Sequence, residues 1–260
     1  MGNGLLLMES DISLNRQKYL YIIFFLGVYM AKPKHIGIIL DGNRRFAKRL
    51  MLEPWKGHEF GVDKVKQLLK WCKRQEIKEL TLYAFSMQNF NRPKKEFDFI
   101  MGHFTKAFND IVENEDIHKN KVRMRAFGRI NLLPKEVQAA IKRAEEATKD
   151  YKGYFVNVAI AYGGREEIVD AVKKIGRAIE DGKLKPEQIT EAMFQKSLYI
   201  ADEPDLIIRT GGDHRTSNFL VWQSNYSEWI FLEKTWPEFE EEDLIKCVDE
   251  FEKRERRFGK

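Results

Sequence analysis

Past residue 32 the chain alternates short apolar runs with amphipathic helical stretches, and nothing else in it restricts the fold as much. His35–Leu40 is a continuous apolar run ending in Asp41-Gly42-Asn43, which is turn chemistry after a buried strand. Leu80–Phe85, Val122–Phe127, Tyr154–Ile160, Asp205–Ile208 and Trp229–Leu232 repeat the pattern. Val62, Val65, Leu68, Leu69 and Cys72 recur at helical spacing and predict a helix over Gly61–Arg74. Pro93 opens a second helix, Lys94–Asn114, because its missing N–H costs nothing in a first turn. Further helices are predicted over Pro134–Lys149, Gly164–Glu180, Pro186–Ser197 and Glu240–Arg257. Strands separated by helices require parallel pairing, with helices on both faces of one sheet. The expected fold is therefore α/β, a single domain over 32–260 with a central, mostly parallel six-stranded sheet. No Pro/Gly/Ser-rich linker divides it.

Composition narrows the partners. With 43% hydrophobic residues the chain is not disordered, and two cysteines cannot build a disulfide framework, which points to a reducing, cytoplasmic setting. The formal charge of +5 favours an acidic partner: nucleic acid, anionic lipid or a phosphorylated small molecule. Nucleic acid calls for an extended basic stripe with stacking aromatics, whereas here the sharpest basic clusters sit in loops beside an Asp. At the front, Tyr19–Ala31 is uncharged and strongly apolar. A helix of that length covers about 20 Å, short of the ~30 Å hydrocarbon core, so it does not span a membrane. Arg16 and Lys18 precede it as in a signal peptide, but Glu9 and Asp11 spoil that basic lead. Residues 1–31 are expected to form an apolar helical extension that packs on the domain or rests peripherally on a membrane.

In parallel α/β sheets the ligand crevice lies at the carboxyl ends of the strands. Three polar clusters fall there: Asp41–Arg45, Ser86–Arg92 and Arg209–Ser217. Gly42 lets backbone N–H groups approach an anion, and Arg44 and Arg45 can grip phosphate oxygens in a forked geometry. An Asp beside such a site suits Mg²⁺, which takes oxygen ligands and substrate phosphates. Equally, Asp41 can cap a helix whose arginines are merely solvated. An aspartyl-phosphate enzyme wants a second Asp two positions on, and Asn43 stands there instead. Arg209-Thr210-Gly211-Gly212, with Arg215 and Ser217, gathers donors around a turn in a way that suits a diphosphate. It is neither a P-loop nor a dinucleotide fingerprint.

These pieces together resemble the cis-prenyltransferases, the family that includes undecaprenyl diphosphate synthase. The resemblance is carried by His35–Asn43, Gly57-His58, Leu82–Ser86 with Asn89–Pro93, Asp205–Gly212, Arg215–Gln223, Trp236–Phe239 and the final Arg257-Phe258-Gly259. It runs in register from about residue 33 to the carboxyl end. It implies Mg²⁺-dependent addition of isopentenyl diphosphate to an allylic diphosphate such as farnesyl or geranylgeranyl diphosphate. The product would be a polyprenyl diphosphate, made by a homodimer.

By the same resemblance, Asp41 binds Mg²⁺ and the allylic diphosphate, cradled by Gly42, Asn43, Arg44 and Arg45, with Phe46 against the allylic substrate. Arg209, Arg215 and Ser217 bind isopentenyl diphosphate, and Glu228 completes the Mg²⁺ site. His58, Ser86, Asn89 and Arg92 form the polar network assisting diphosphate departure and proton loss, with Asn89 as its organiser, and Phe90 is a further substrate-binding residue. Arg257 and Gly259 reach across the dimer. Phe97, Phe99, Ile100, Met101, Phe104, Phe108, Ile111 and Val112 give the helix at Lys94–Asn114 a wide apolar surface, either core packing or, as the family implies, the wall of a product tunnel. Arg44 and Phe46 stand where many bacterial members carry Gly and Trp, Pro54 where members often carry Arg, and Gln88 replaces a common Glu. The alternatives are a short-product or unusual-acceptor enzyme, and a non-catalytic accessory subunit. The last would be expected to lose Asp41 or the Arg209–Ser217 loop, and both are present.

Overall fold

A computed structural model describes residues 32–254. The elements in chain order are β1 His35–Ile39, α1 Asn43–Arg49, α2 Gly57–Arg74, β2 Glu79–Ser86, α3 Lys94–Val112, α4 Glu115–Lys119, β3 Val122–Phe127, α5 Lys135–Thr148, β4 Tyr154–Tyr162, α6 Gly164–Glu180, α7 Glu191–Ser197, β5 Leu206–Arg209, β6 Glu228–Phe231 and α8 Glu241–Lys253. The six strands form one wholly parallel sheet in the order β3-β4-β2-β1-β5-β6. The expected α/β architecture holds.

The period of two along each strand sorts side chains onto two cores. Ile36, Ile38, Leu80, Leu82, Val156 and Ile208 face a large cluster completed by Leu68, Ile100, Phe108, Val137 and Leu244 of α2, α3, α5 and α8. Ile39, Tyr83, Ala159 and Ile207 face a smaller cluster with Phe127, Tyr162, Ile200, Phe219 and Leu220. From β1 the chain moves towards β2, whereas β5 lies on the other side of β1, so β1 and β5 flank the point where the winding reverses. Crevices open at such a point.

Four boundaries differ from expectation, each for a local reason. Asn43–Arg49 is helical, so only Asp41 and Gly42 of the first polar cluster are loop. The second helix starts at Gly57, before its apolar periodicity begins, because its first turn packs on α1: a Cβ at Gly57 would lie 2.0 Å from the Asn43 carbonyl oxygen. Pro186–Ser197 splits, since the Thr190 hydroxyl accepts from the Met193 N–H and starts α7 afresh. The Asn114 side chain caps the short α4, which periodicity did not announce. The extension at 1–31 lies outside the described residues. Among the described residues no helix is long and apolar enough to cross a membrane.

Candidate active site at the sheet reversal

Asp41 leaves β1 at the reversal point. Gly42 follows with φ 99°, a left-handed conformation, and a Cβ there would lie 2.6 Å from the Thr235 Cβ, so glycine is required on both counts. The Gly42 N–H donates to Asp41 Oδ1 at 2.6 Å, and Arg209 Nη2 donates to Oδ2 at 2.8 Å. Arg209 ends β5 in register with Ile39, and its side chain is only 3% exposed. Its Nη1 donates to Ser217 Oγ at 2.7 Å and to the Arg215 carbonyl. Arg209 Nε is a buried donor with no partner among the described residues. The Asp41 backbone is fixed from two sides: its carbonyl accepts from the Thr210 hydroxyl and from the Trp236 N–H, each at 2.8 Å. Asp213 draws in Arg45 at 3.2 Å and Arg215 at 2.9 Å. Against the cost of its partial burial, Arg215, Arg45 and Arg209 hold the Asp213 carboxyl below its ordinary value.

The opposite wall follows β2. Ser86 and Asn89 close a reciprocal cap, with the Ser86 N–H donating to Asn89 Oδ1 at 3.0 Å. Arg92 Nη1 donates to Glu96 Oε1 and lies 3.2 Å from His58 Nε2. Arg44 Nε stands 3.8 Å from the same oxygen. Glu96 is 1% exposed, yet its carboxyl is held down to about 2, with the His58 ring contributing most and Arg92 and Arg44 adding to it against burial. Burial pushes His58 below its ordinary value, which keeps the ring neutral.

A cavity of about 910 Å³ joins the two walls. Asp41, Gly42, Asn43, Arg44, Arg45, His58, Ser86, Asn89, Arg92, Arg209 and Ser217 line its polar mouth. Below them it continues between the sheet and two helices: Leu82, Met124, Val156 and Val158 on one side, Val62, Val65 and Leu69 of α2 and Ile100, Phe104, Phe108 and Ile111 of α3 on the other. Such a shape takes an amphiphile with an anionic head and an apolar tail.

Not every expected residue joins it. Phe46 packs edge-on against Phe60, at 5.3 Å between ring centres, and Phe90 against Phe85 and Phe97, so neither lines the cavity. Phe97 belongs to that aromatic group and Phe99 packs edge-on against His103; of the apolar residues expected on α3, Ile100, Phe104, Phe108 and Ile111 line the cavity. The Arg215 side chain is exposed and pairs with Asp213. Glu228 is not beside Asp41. It opens β6 opposite Leu206, at the amino edge of the sheet, and binds Arg254 at 2.8 Å. Arg257 and Gly259 lie outside the described residues. Three residues to which the sequence assigns no role take part: Thr210, Asp213 and Glu96. The Arg92-x-x-x-Glu96 spacing across Pro93 was the one available signal for the last.

Whether the site suits Mg²⁺ turns on its donor set. Among the described residues no group of three or more His, Cys, Asp or Glu side chains could hold a metal unaided. Asp41 presents one partly exposed carboxylate beside a mouth built for phosphates, and Mg²⁺ characteristically binds through one or two carboxylates plus substrate phosphates and water. The residues fit.

Residues 39–259 match the prenyltransferase family model described as "Putative undecaprenyl diphosphate synthase". The tritrans,polycis-undecaprenyl-diphosphate synthase (geranylgeranyl-diphosphate specific) of Methanopyrus kandleri is 51% identical over 230 residues, covering 88% of this chain and 85% of its own. The enzyme of the same name from Methanocaldococcus jannaschii is 51% identical over 232 residues, covering 88% and 83%. Among solved structures, lavandulyl diphosphate synthase from Lavandula x intermedia, in complex with dimethylallyl diphosphate, superposes with a TM-score of 0.83 at 37% identity. It covers 88% of this chain and 99% of its own.

Proposed function

This chain belongs to the cis-prenyltransferase family of undecaprenyl diphosphate synthases, which condense isopentenyl diphosphate onto an allylic diphosphate, and on that premise we propose that its primer is geranylgeranyl diphosphate. One observation carries the reading: a single cavity runs from a mouth of arginines around Asp41 to an apolar floor at Met124 and Val156. Its relatives' specificity for geranylgeranyl diphosphate supports that primer. The cavity's volume of about 910 Å³ and its apolar lining on α2, α3 and the sheet support a polyprenyl product over a single condensation.

In this reading Asp41 holds the Mg²⁺, with the primer's diphosphate against Gly42, Asn43, Arg44 and Arg45. When bound, Mg²⁺ offsets negative charge on the phosphates. Breaking the allylic C–O bond moves charge onto the departing diphosphate, and Arg44, Arg45 and Arg92 are poised at the mouth to stabilise it. Arg209 and Ser217 hold isopentenyl diphosphate; their 2.7 Å hydrogen bond fixes the guanidinium's plane. Attack by the isopentenyl double bond leaves a carbocation that loses a proton. So acidic a species needs no strong base, and a phosphate oxygen or a water held by Asn89 suffices. Asn89 Oδ1 is already committed to the Ser86 N–H, so its amide NH₂ is the part that faces this task.

Beyond one chain, the reading includes a cytoplasmic homodimer, with Arg257 and Gly259 at the partner's site, and peripheral membrane contact through the segment at 1–31. Exposed Val169, Val172 and Val221 support a covered face on the smaller core's side. The test is competition: equimolar farnesyl and geranylgeranyl diphosphate with labelled isopentenyl diphosphate and Mg²⁺, lipids resolved by length. Products should derive chiefly from geranylgeranyl diphosphate; preferential extension of farnesyl diphosphate overturns the primer assignment.

A further inference from the structure

We infer that Glu96 is a positioning residue for diphosphate departure, a buried anion that aims Arg44, Arg92 and His58 into the mouth from behind. The inference rests on the reading that the primer's diphosphate lies at this mouth.

Arg44, Arg92 and His58 come from separate places in the chain: the first turn of α1, the turn preceding α3, and the first turn of α2. All three line the cavity, whereas Glu96 does not. What they share is Glu96 Oε1, which accepts from Arg92 Nη1 and lies 3.5 Å from His58 Nε2 and 3.8 Å from Arg44 Nε. Exposure rises outward from this point, from 2% for the Glu96 side chain to 19% for His58, 22% for Arg92 and 50% for Arg44. The arrangement is an anchored base with its charged ends open to the cavity.

Physics gives that arrangement a purpose. A free guanidinium must surrender about 2 kcal/mol of rotamer entropy to hold one geometry, and a fixed one has surrendered it already. A buried carboxylate is costly unless well paired, and it is weak support for stability compared with apolar packing. Its value here lies in preorganisation. With His58 neutral, one carboxylate and two guanidiniums leave the cluster one positive charge, directed at an oxygen whose negative charge grows only as the C–O bond breaks. An interaction that strengthens in the transition state is read in kcat, not in KM.

The full-length chain, assayed with geranylgeranyl diphosphate, isopentenyl diphosphate and Mg²⁺, separates these cases using Glu96→Gln and Glu96→Asp. Loss of an outer-shell anchor typically costs about 10–100-fold, so Glu96→Gln should lower kcat by that factor with the primer KM held within about threefold. Glu96→Asp keeps the charge on a shorter arm and should fall between Gln and wild type, again in kcat. A merely structural Glu96 predicts instead that both variants lose activity only in step with melting temperature. Unchanged kcat in Glu96→Gln, a raised primer KM at constant kcat, or Glu96→Asp no better than Glu96→Gln overturns the inference. If Glu96→Gln does not fold, Glu96→Asp decides alone: reduced kcat at constant KM supports it and wild-type kcat refutes it. Failure of the wild-type chain to extend the primer at all would sink the functional reading instead, and the same assay reports it.

Discussion

Replacing Glu96 with glutamine keeps the side chain's shape and removes its charge, so it isolates what that charge does for the fold. The folded protein lowers the Glu96 carboxyl from its ordinary 4.5 to about 2. That difference of about 2.5 pH units is worth about 3 kcal/mol at ~1.36 kcal/mol per unit. Because the folded value lies below the unfolded one, the stabilisation is fully present above pH 4.5 and is lost as pH falls toward 2. Urea unfolding of wild type and Glu96→Gln should therefore differ by about 3 kcal/mol at pH 7 and by about 2 kcal/mol at pH 3.5. Against a typical total of about 5–15 kcal/mol the variant still folds at pH 7. A difference below about 1 kcal/mol at pH 7, or one that does not shrink on acidification, refutes the picture of a buried, ionised Glu96 held by His58, Arg92 and Arg44.

Three other substitutions probe the site. Arg209→Lys keeps the charge but cannot serve Asp41, Ser217 and the Arg215 carbonyl together; losing one charge-assisted hydrogen bond, about 1.5–3 kcal/mol, should lower kcat/KM for isopentenyl diphosphate about 10–100-fold in steady-state assays. Phe108→Ala empties a side chain that is 4% exposed on the cavity wall; it should cost about 3–5 kcal/mol in a denaturant melt and lengthen the extracted lipids, and an unchanged length distribution would remove Phe108 from the product's path. Gly61→Ala places a Cβ 2.6 Å from Asn43 Oδ1 and 3.0 Å from the Trp236 ring, so thermal melting should report about 1–3 kcal/mol of overpacking together with a loss of activity.

Strand positions, the parallel sheet and the three polar clusters were legible because each rests on local patterning: an apolar run, a turn, a period of 3.6 or 2. The residues misplaced or missed depend on packing between distant elements. Glu228 is assigned to the Mg²⁺ site by the family resemblance, which says nothing of where in the sheet of one chain the residue sits. A parallel strand must begin at the sheet's far edge, so the first residue of β6 returns to the amino end, level with Leu206. Glu96, three residues past Pro93, reads as an ordinary acid in a helix's first turn. Only the approach of α1 and α2 buries it among Arg44, Arg92 and His58. Phe46 shares a seven-residue helix with Arg44 and Arg45 but points to Phe60, because successive residues on a helix do not share a face. Trp236 was legible as part of a motif; that its backbone N–H holds the Asp41 carbonyl required the fold.

The central claim is that one cavity holds an allylic diphosphate at Asp41 and its growing chain against α2 and α3. Labelled isopentenyl diphosphate, geranylgeranyl diphosphate and Mg²⁺ incubated with wild type and with Asp41→Ala test it directly, with extracted lipids resolved by length. The account predicts a ladder of extended cis-prenyl products from wild type and their loss in Asp41→Ala, with the variant still folded at the assay temperature, its melting curve lowered by the loss of the Arg209 ion pair. No extension by wild type, or undiminished extension by Asp41→Ala, contradicts it.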